Sequence, residues 1–166
     1  MAESAAQDRI LPSLLERLTD YEPERRQESR EQRVMSIRRY RDSVLRDLAW
    51  LLNTTNMSRA QDMATFSEVG KSVLNYGVPD LAGSTSSTVE PNALARAIRE
   101  AILAFEPRIL PDSLRVELSV DDDSRLQNRL EMTIDGDLWA SPVPVHVLVN
   151  TALDLETGAI GLTDAG

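Results

Sequence analysis

The segment Glu106-Pro107-Arg108 places a carboxylate and a guanidinium two positions apart around a proline, with apolar residues on both sides. Proline fixes its own φ near −65°, and residues two apart in an extended segment project to the same side. We therefore expect Glu106 and Arg108 to project together from a rigid base. Three uses fit this pattern: a solvated turn, half of a hydrolytic site, or a docking point for another protein.

The hydrolytic interpretation needs a second carboxylate. A glycosidase carries two carboxyl groups roughly 5–9 Å apart across the scissile bond, but no spacing singles out Asp80 or Asp112 as the partner of Glu106. The sequence has no nucleophile-elbow, P-loop or dinucleotide-binding pattern. His146, the single histidine, lies in a predicted strand without an evident triad partner. We assign no catalytic residue and favour a protein without enzymatic activity.

The docking interpretation rests on the position of Glu106 beside a predicted helix C-terminus. A cation is favoured at that end of a helix and a carboxylate is not. Glu106 is therefore expected to have a basic partner, either within the fold or on another protein.

Composition narrows the function classes. The 166 residues include no cysteine, which excludes a disulfide scaffold and a thiolate metal site, and the single histidine disfavours histidine-based zinc. We expect no cofactor and no metal. The formal net charge of −9 lies entirely in residues 54–166, which hold eight basic and seventeen acidic side chains, so nucleic-acid binding is disfavoured. No apolar run approaches ~20 residues and no signal pattern opens the chain, so we expect a cytoplasmic protein without membrane insertion.

Residues 1–33 are interpreted as an N-terminal arm and linker. Leu14, Leu15 and Leu18 follow Ile10 at helical spacing. They predict a short helix that either packs on its own domain or anchors a partner. Residues 19–33 are dense in charge and too poor in apolar side chains to support a core, so we expect them to be a mobile linker.

Residues 34–166 are interpreted as one domain that begins with helices. An apolar face recurs at steps of three and four from Ile37 to Leu51. Glu68–Asn75 predicts two helical turns with a left-handed exit at Gly77. Pro91 opens a helix, and Pro107 must end it because proline disfavours the α region at the preceding residue.

The second half of the domain alternates with the period of β-strands. Alternating series start at Leu114, at Leu130 and at Val143, with a turn predicted at residues 135–137. Helices followed by a strand meander predict an α+β fold, an antiparallel sheet backed by helices. The third series begins with two prolines and continues as a long uncharged run. It is either a strand at or near a sheet edge, with its side chains Val145, Val147 and Val149 near a partner, or a central strand that is apolar on both faces.

Five segments carry a family resemblance, although none is decisive by itself. FEPRIL (105–110) is similar to the Glu-Pro-Arg signature of the TssE family of type VI secretion baseplate subunits, which belongs with the phage-tail baseplate proteins once labelled lysozyme-like. SVLRDLAWLLNT (43–54) resembles the first long helix of that family, KSVLNYGVPDL (71–81) its middle block, and LDLETGAI (153–160) its close. PSLLERLTD (12–20) is similar to its opening. The family usually continues LLNT with arginine, where this chain has Thr55.

The resemblance implies a structural role. Members of the family join the wedges of a six-fold baseplate to the first ring of a contractile sheath, and their sheet edge can template the sheath subunits. By this resemblance Glu106, Pro107 and Arg108 would grip the core bundle of the wedge. The implied partners are the wedge subunits TssF, TssG and TssK and the sheath subunits TssB and TssC. A peptidoglycan hydrolase using Glu106, and the equivalent subunit of a phage or other contractile particle, remain as alternatives.

Overall fold

The computed structural model describes residues 10, 12–19, 24, 35–61, 63, 65–83, 89–119, 128–140 and 143–164. Most of the predicted linker, residues 19–33, and the acidic stretch 121–123 lie outside them. The helices are α1 (Leu14–Leu18), α2 (Ile37–Leu52), α3 (Ser67–Gly70) and α4 (Pro91–Phe105). The strands are β1 (Arg115–Ser119), β2 (Arg129–Leu138), β3 (Val145–Asp154) and β4 (Ile160–Asp164).

The two long helices begin and end where their sequence requires. The Ser36 side chain accepts a hydrogen bond from the Arg39 N–H (3.2 Å) and caps α2. The Glu90 carboxylate accepts from the Ala93 N–H (2.6 Å), and Pro91 occupies the first position of α4. The predicted helix over residues 68–75 is instead divided into α3 and a 3₁₀ turn, Val73–Asn75.

The sheet is antiparallel with strand order β1-β2-β3-β4 in the described part of the chain. This confirms the predicted α+β class. One face of the sheet packs on α2 and α4, and the core lies between these layers. The fully buried side chains with the largest volumes come from both layers: Val44, Leu48, Leu51, Leu52, Ile98, Ile102, Leu130, Met132, Ile134, Leu138, Leu153 and Leu155.

The structure corrects the predicted turn at residues 135–137. These residues continue β2 and pair with residues 146–148 of β3. A Cβ at Gly136 would make only ordinary contacts, 3.5 Å from the Ile109 side chain and 3.6 Å from the Leu114 Cα, so packing does not explain the glycine. The Asp-Gly-Asp pattern lies here within a paired strand rather than in a turn.

The structure corrects the predicted position of the valine-rich strand in part. β3 pairs with β2 along its whole length, and its residues 149–153 also pair with β4, so this half is central in the sheet. The sequence did not predict β4, which the Glu156–Gly158 turn brings back along β3. Among the described residues, 145–148 have no partner strand on the β4 side.

Candidate functional site

Glu106 and Arg108 lie in the short connection between α4 and β1. The Glu106 N–H still donates to the Ile102 carbonyl of the last helical turn (2.8 Å), while its own backbone has left the helical region (φ −121°, ψ 78°). Pro107 then turns the chain and is itself exposed. The proline therefore ends α4, and after it the Arg108 side chain points towards α4 and α2.

The two charged side chains of the signature bind each other. Arg108 Nε donates to Glu106 Oε1 at 2.6 Å, and Arg108 Nη2 donates to Glu106 Oε2. The Arg108 backbone N–H also donates to Oε1, at 3.2 Å. Glu106 is only 4% exposed, so its basic partner, expected from the helix end, is within the fold. A bidentate pair of this kind is both strong and directional.

The same guanidinium reaches α2. Arg108 Nη1 donates to the Ser43 hydroxyl (3.1 Å), and Nη2 donates to Asp47 Oδ2 (2.5 Å). Ser43 and Asp47 are four residues apart and share one face of the helix. Burial is the largest influence on the pKa of Arg108 and lowers it. Hydrogen bonds and charges from Glu106 and Asp47 outweigh it and raise the pKa above the ordinary arginine value, so Arg108 is permanently charged.

The ionic contacts continue to the N-terminal helix. Arg46 donates through Nε and Nη2 to Asp47 Oδ1 (3.1 and 3.0 Å), and through Nη1 to Glu16 Oε1 (2.5 Å). The hydrogen bond to Glu16 is the largest influence on the pKa of Arg46 and helps raise it above its ordinary value. We call residues 106–109 the signature loop. Charges of alternating sign thus connect this loop through α2 to α1. We call this set, Glu106, Arg108, Asp47, Arg46 and Glu16, the ionic brace.

Backbone contacts attach the signature loop to the end of β2. Ile109 pairs with Leu138 as an isolated antiparallel bridge. The Trp139 N–H donates to the Arg108 carbonyl (2.7 Å), and the Tyr40 hydroxyl donates to the Trp139 carbonyl (2.8 Å). Burial raises the pKa of Tyr40, although the charge of Arg108 opposes the rise, so the phenol remains a donor at neutral pH.

The other predicted partner-binding residues lie elsewhere. Val147 and Val149 are buried on the core side of β3, and Val145 is half-buried, so the side chains of Val147 and Val149 belong to the core. The three leucines of α1 are exposed and, unlike Ile10, do not enter the core. Ile10 bridges to Met35 and is buried, so the predicted arm includes at least one core residue.

The segments that carry the family resemblance also contact each other at the C-terminal end of α2. The Asn53 side chain binds both backbone groups of Ile160, accepting from its N–H (3.0 Å) and donating to its carbonyl (2.9 Å). The Thr54 carbonyl accepts from the Val78 N–H (2.8 Å). Gly77 has φ 120°, and a Cβ there would lie 2.2 Å from the Thr54 carbonyl oxygen. The segments that carry the family resemblance are therefore largely each other's packing partners.

The geometry of the ionic brace limits its chemistry. Arg108 lies between the carboxylates of Glu106 and Asp47 and bonds to both, so the pair does not face an open cleft as two glycosidase carboxyl groups must. Within the described ranges, no cluster of histidine and acidic side chains has a metal-binding arrangement. A groove of about 240 Å³ lies between the end of α2, residues 78–82 and the β3–β4 turn, away from the brace.

Sequence reasoning identified Glu106 and Arg108 but missed Ser43, Asp47 and Trp139. Ser43 and Asp47 have only a weak signal in the sequence. They are polar side chains four residues apart on α2, whose other face carries the apolar residues of the core. Trp139 follows a strand and has no periodic signal. Only the fold shows that these three residues meet the signature loop.

The family model described as "Baseplate wedge protein gp25" matches residues 38–143. No curated protein and no solved structure gives a significant match. In the described residues, no helix is both long and apolar enough to cross a bilayer. The matched range includes most of α2, all of α4, the signature loop and β2, and it covers more than half of the chain. The chain therefore belongs to the gp25 family of baseplate wedge proteins.

Proposed function

We propose that this baseplate subunit is the TssE-type component of a type VI secretion machine, which joins the wedge complex to the first ring of the sheath and initiates sheath polymerisation. The five segments of sequence resemblance support the assignment to that machine. The equivalent subunit of a phage or another contractile particle is the alternative, and it would use the same surfaces.

The observation that carries the joining role is the position of β4 relative to the signature loop. β4 is an edge strand, whereas the signature loop lies along the opposite edge, beside β2 on the β1 side. Asn53 occupies both outward backbone groups of Ile160. Backbone direction alternates along an antiparallel strand, so the groups of Leu162 and Asp164 also point outward. An incoming strand can pair with such an edge.

The wedge side of the joint is assigned to the signature loop. Within the described part of the chain, four of the five N–H donors of Arg108 are engaged by Glu106, Ser43 and Asp47. In this proposal the brace holds the loop in shape, and the exposed Pro107 and the loop surface meet the wedge subunits TssF, TssG and TssK. The sheath subunits TssB and TssC meet β4.

The exposed leucines of α1 supply a further contact. Leu14, Leu15 and Leu18 lie on a helix that is held to α2 through Glu16 and Arg46. A short amphipathic helix of this kind can enter an apolar groove on a partner. We assign it to the wedge complex because the ionic brace connects it to the signature loop.

Hydrolysis of peptidoglycan is not part of the proposed function. Glu106 is enclosed and its carboxylate is held by Arg108, and a general acid must reach the glycosidic oxygen. The family is a structural one, and we propose that the chain acts in the cytoplasm, in a baseplate docked at the inner-membrane complex.

The test is sheath formation on purified wedge complexes, observed by electron microscopy. Leu162→Pro removes an outward N–H of β4, whereas Leu162→Ala, the matched control, keeps it. We expect the alanine variant to support assembly and the folded proline variant to fail. Equal assembly with both variants would show that this edge is not the template.

A further inference from the structure

The backbone of Trp139 is held on both sides by hydrogen bonds. Its N–H donates to the Arg108 carbonyl and its carbonyl accepts from the Tyr40 hydroxyl, at 2.7 and 2.8 Å. Arg108 is fixed in turn by the ionic brace. The indole itself is 60% exposed. A large apolar side chain is thus presented to solvent from a backbone that has lost its freedom before any partner binds.

The second tryptophan of the chain provides a comparison. Trp50, on α2, is 53% exposed, and the Arg46 guanidinium lies 5.2 Å from its ring centroid. Among the described residues, no cation or aromatic ring lies against the Trp139 indole. Within that part of the chain, the Trp139 ring has no stacking partner like the one that Trp50 has.

The surface beside Trp139 carries two carboxylates. Asp135 and Asp137 point to the open face of the sheet, and Trp139 continues this row just past the end of β2. His146 lies 3.5 Å from Asp135 and 3.2 Å from Asp137, and Arg115 of β1 is directly opposite Asp135 in the register. Arg115 offsets the charge of Asp135, so Asp137, the carboxylate next to Trp139 in the row, is the group that a basic side chain beside the partner's indole slot would complement.

We infer that Trp139 is the anchor of the wedge-facing surface, and that the Glu106–Arg108 pair acts as a positioning device for it rather than as the main gripping group. The occupant is a baseplate wedge subunit that offers an apolar slot with a basic side chain at its rim, beside Asp137. This inference rests on the proposed function. Tryptophan is enriched among the residues that dominate interface energetics, and preorganisation of its backbone lowers the entropic cost of ordering it on binding.

The experiment uses the full-length chain labelled with hydroxytryptophan, which can be excited selectively beside the tryptophans of a partner. The probe is the purified TssF–TssG complex from the same genome. Trp50→Phe leaves Trp139 as the reporter, and Trp139→Phe leaves Trp50. On binding, we expect acrylamide quenching of Trp139 to fall, with quenching of Trp50 unchanged.

Affinity provides the second measurement. Trp139→Ala should weaken binding by about 30-fold or more, which is the range of an interface hot spot, while Trp50→Ala should change it less than threefold. Because the backbone contacts at residue 139 do not require the indole, Trp139→Ala should keep the thermal stability of the wild type.

Different experimental results would overturn the anchor role and the proposed function. If the wild type binds the wedge complex but Trp139 stays equally open to quencher, or Trp139→Ala binds normally, the anchor role is overturned and the proposed function stands. If the wild type does not bind the wedge complex at all, the wedge-joining function and the anchor role both fail.

Discussion

Replacement of Arg108 by alanine tests whether the signature is an internal brace. The change leaves Glu106, which is 4% exposed, without its guanidinium partner and removes a bond to Asp47 on α2. Removing one partner of a buried ion pair costs ~3–5 kcal/mol. The Arg108 and Asp47 side chains are 20% and 26% exposed, so solvent screening places the expected loss at the lower end, ~3 kcal/mol.

This loss is large enough to measure by thermal or urea unfolding. A domain of this size loses roughly 3 °C in Tm per kcal/mol, so we expect Arg108→Ala to melt about 10 °C lower. Arg108→Lys keeps the charge but cannot bind both carboxylates and Ser43 with a planar fork, and should fall in between. Arg96→Ala, at an exposed arginine of α4, is the matched control and should stay within ~0.5 kcal/mol.

A double variant separates the buried charge from lost packing. Glu106→Leu combined with Arg108→Met removes both members of the pair, and replacing a buried pair with apolar side chains is often close to neutral. The double variant should therefore recover much of the stability lost in Arg108→Ala. Arg108→Ala with wild-type stability, or a double variant less stable than the single one, would refute the brace.

Three further predictions concern the rest of the fold. Gly77→Ala should destabilise the domain severely, by more than ~3 kcal/mol, because its Cβ would overlap the Thr54 carbonyl. Gly83→Ala, at another positive-φ glycine with open space around its Cβ, should cost clearly less in the same urea titration. Asn53→Ala should cost ~1–3 kcal/mol by removing both hydrogen bonds to Ile160, with faster amide exchange in β4 as the specific readout. Hydrogen bonds from the Thr157 and Glu156 N–H groups lower the pKa of Asp154. Its contribution to stability is therefore present at neutral pH and is lost as pH falls below ~4, so the stability gap between wild type and Asp154→Ala should close there. A gap that persists at lower pH would contradict this reasoning.

The periodic parts of the fold were predictable because burial imposes a period on a strand or a helix. The stripe in α2, the Pro91 start of α4 and the alternation in β2 and β3 each depend on local spacing. Strand order was not predictable in the same way. An apolar strand has the same pattern at an edge or in the centre of a sheet, and only the short β4 decides between them.

In the candidate site, too, local contacts were predictable from the sequence and long-range contacts were not. Local rules place Glu106 and Arg108 together and require a basic partner for the carboxylate. They do not indicate Asp47, which is 61 residues from Arg108 in sequence, or Trp139, whose contacts depend on how the signature loop lies along β2. Tertiary contacts of this range have no signature in a single sequence.

Amide hydrogen exchange on the assembled wedge, with and without sheath subunits, tests the central claim most directly. We predict that adding sheath subunits slows exchange at the outward amides of Leu162 and Asp164 on β4. Protection around Trp139 should already be present in the wedge complex and should not change further. Sheath binding that leaves the β4 amides exchanging at their free rate would contradict the claim that this chain joins wedge and sheath through opposite edges of its sheet.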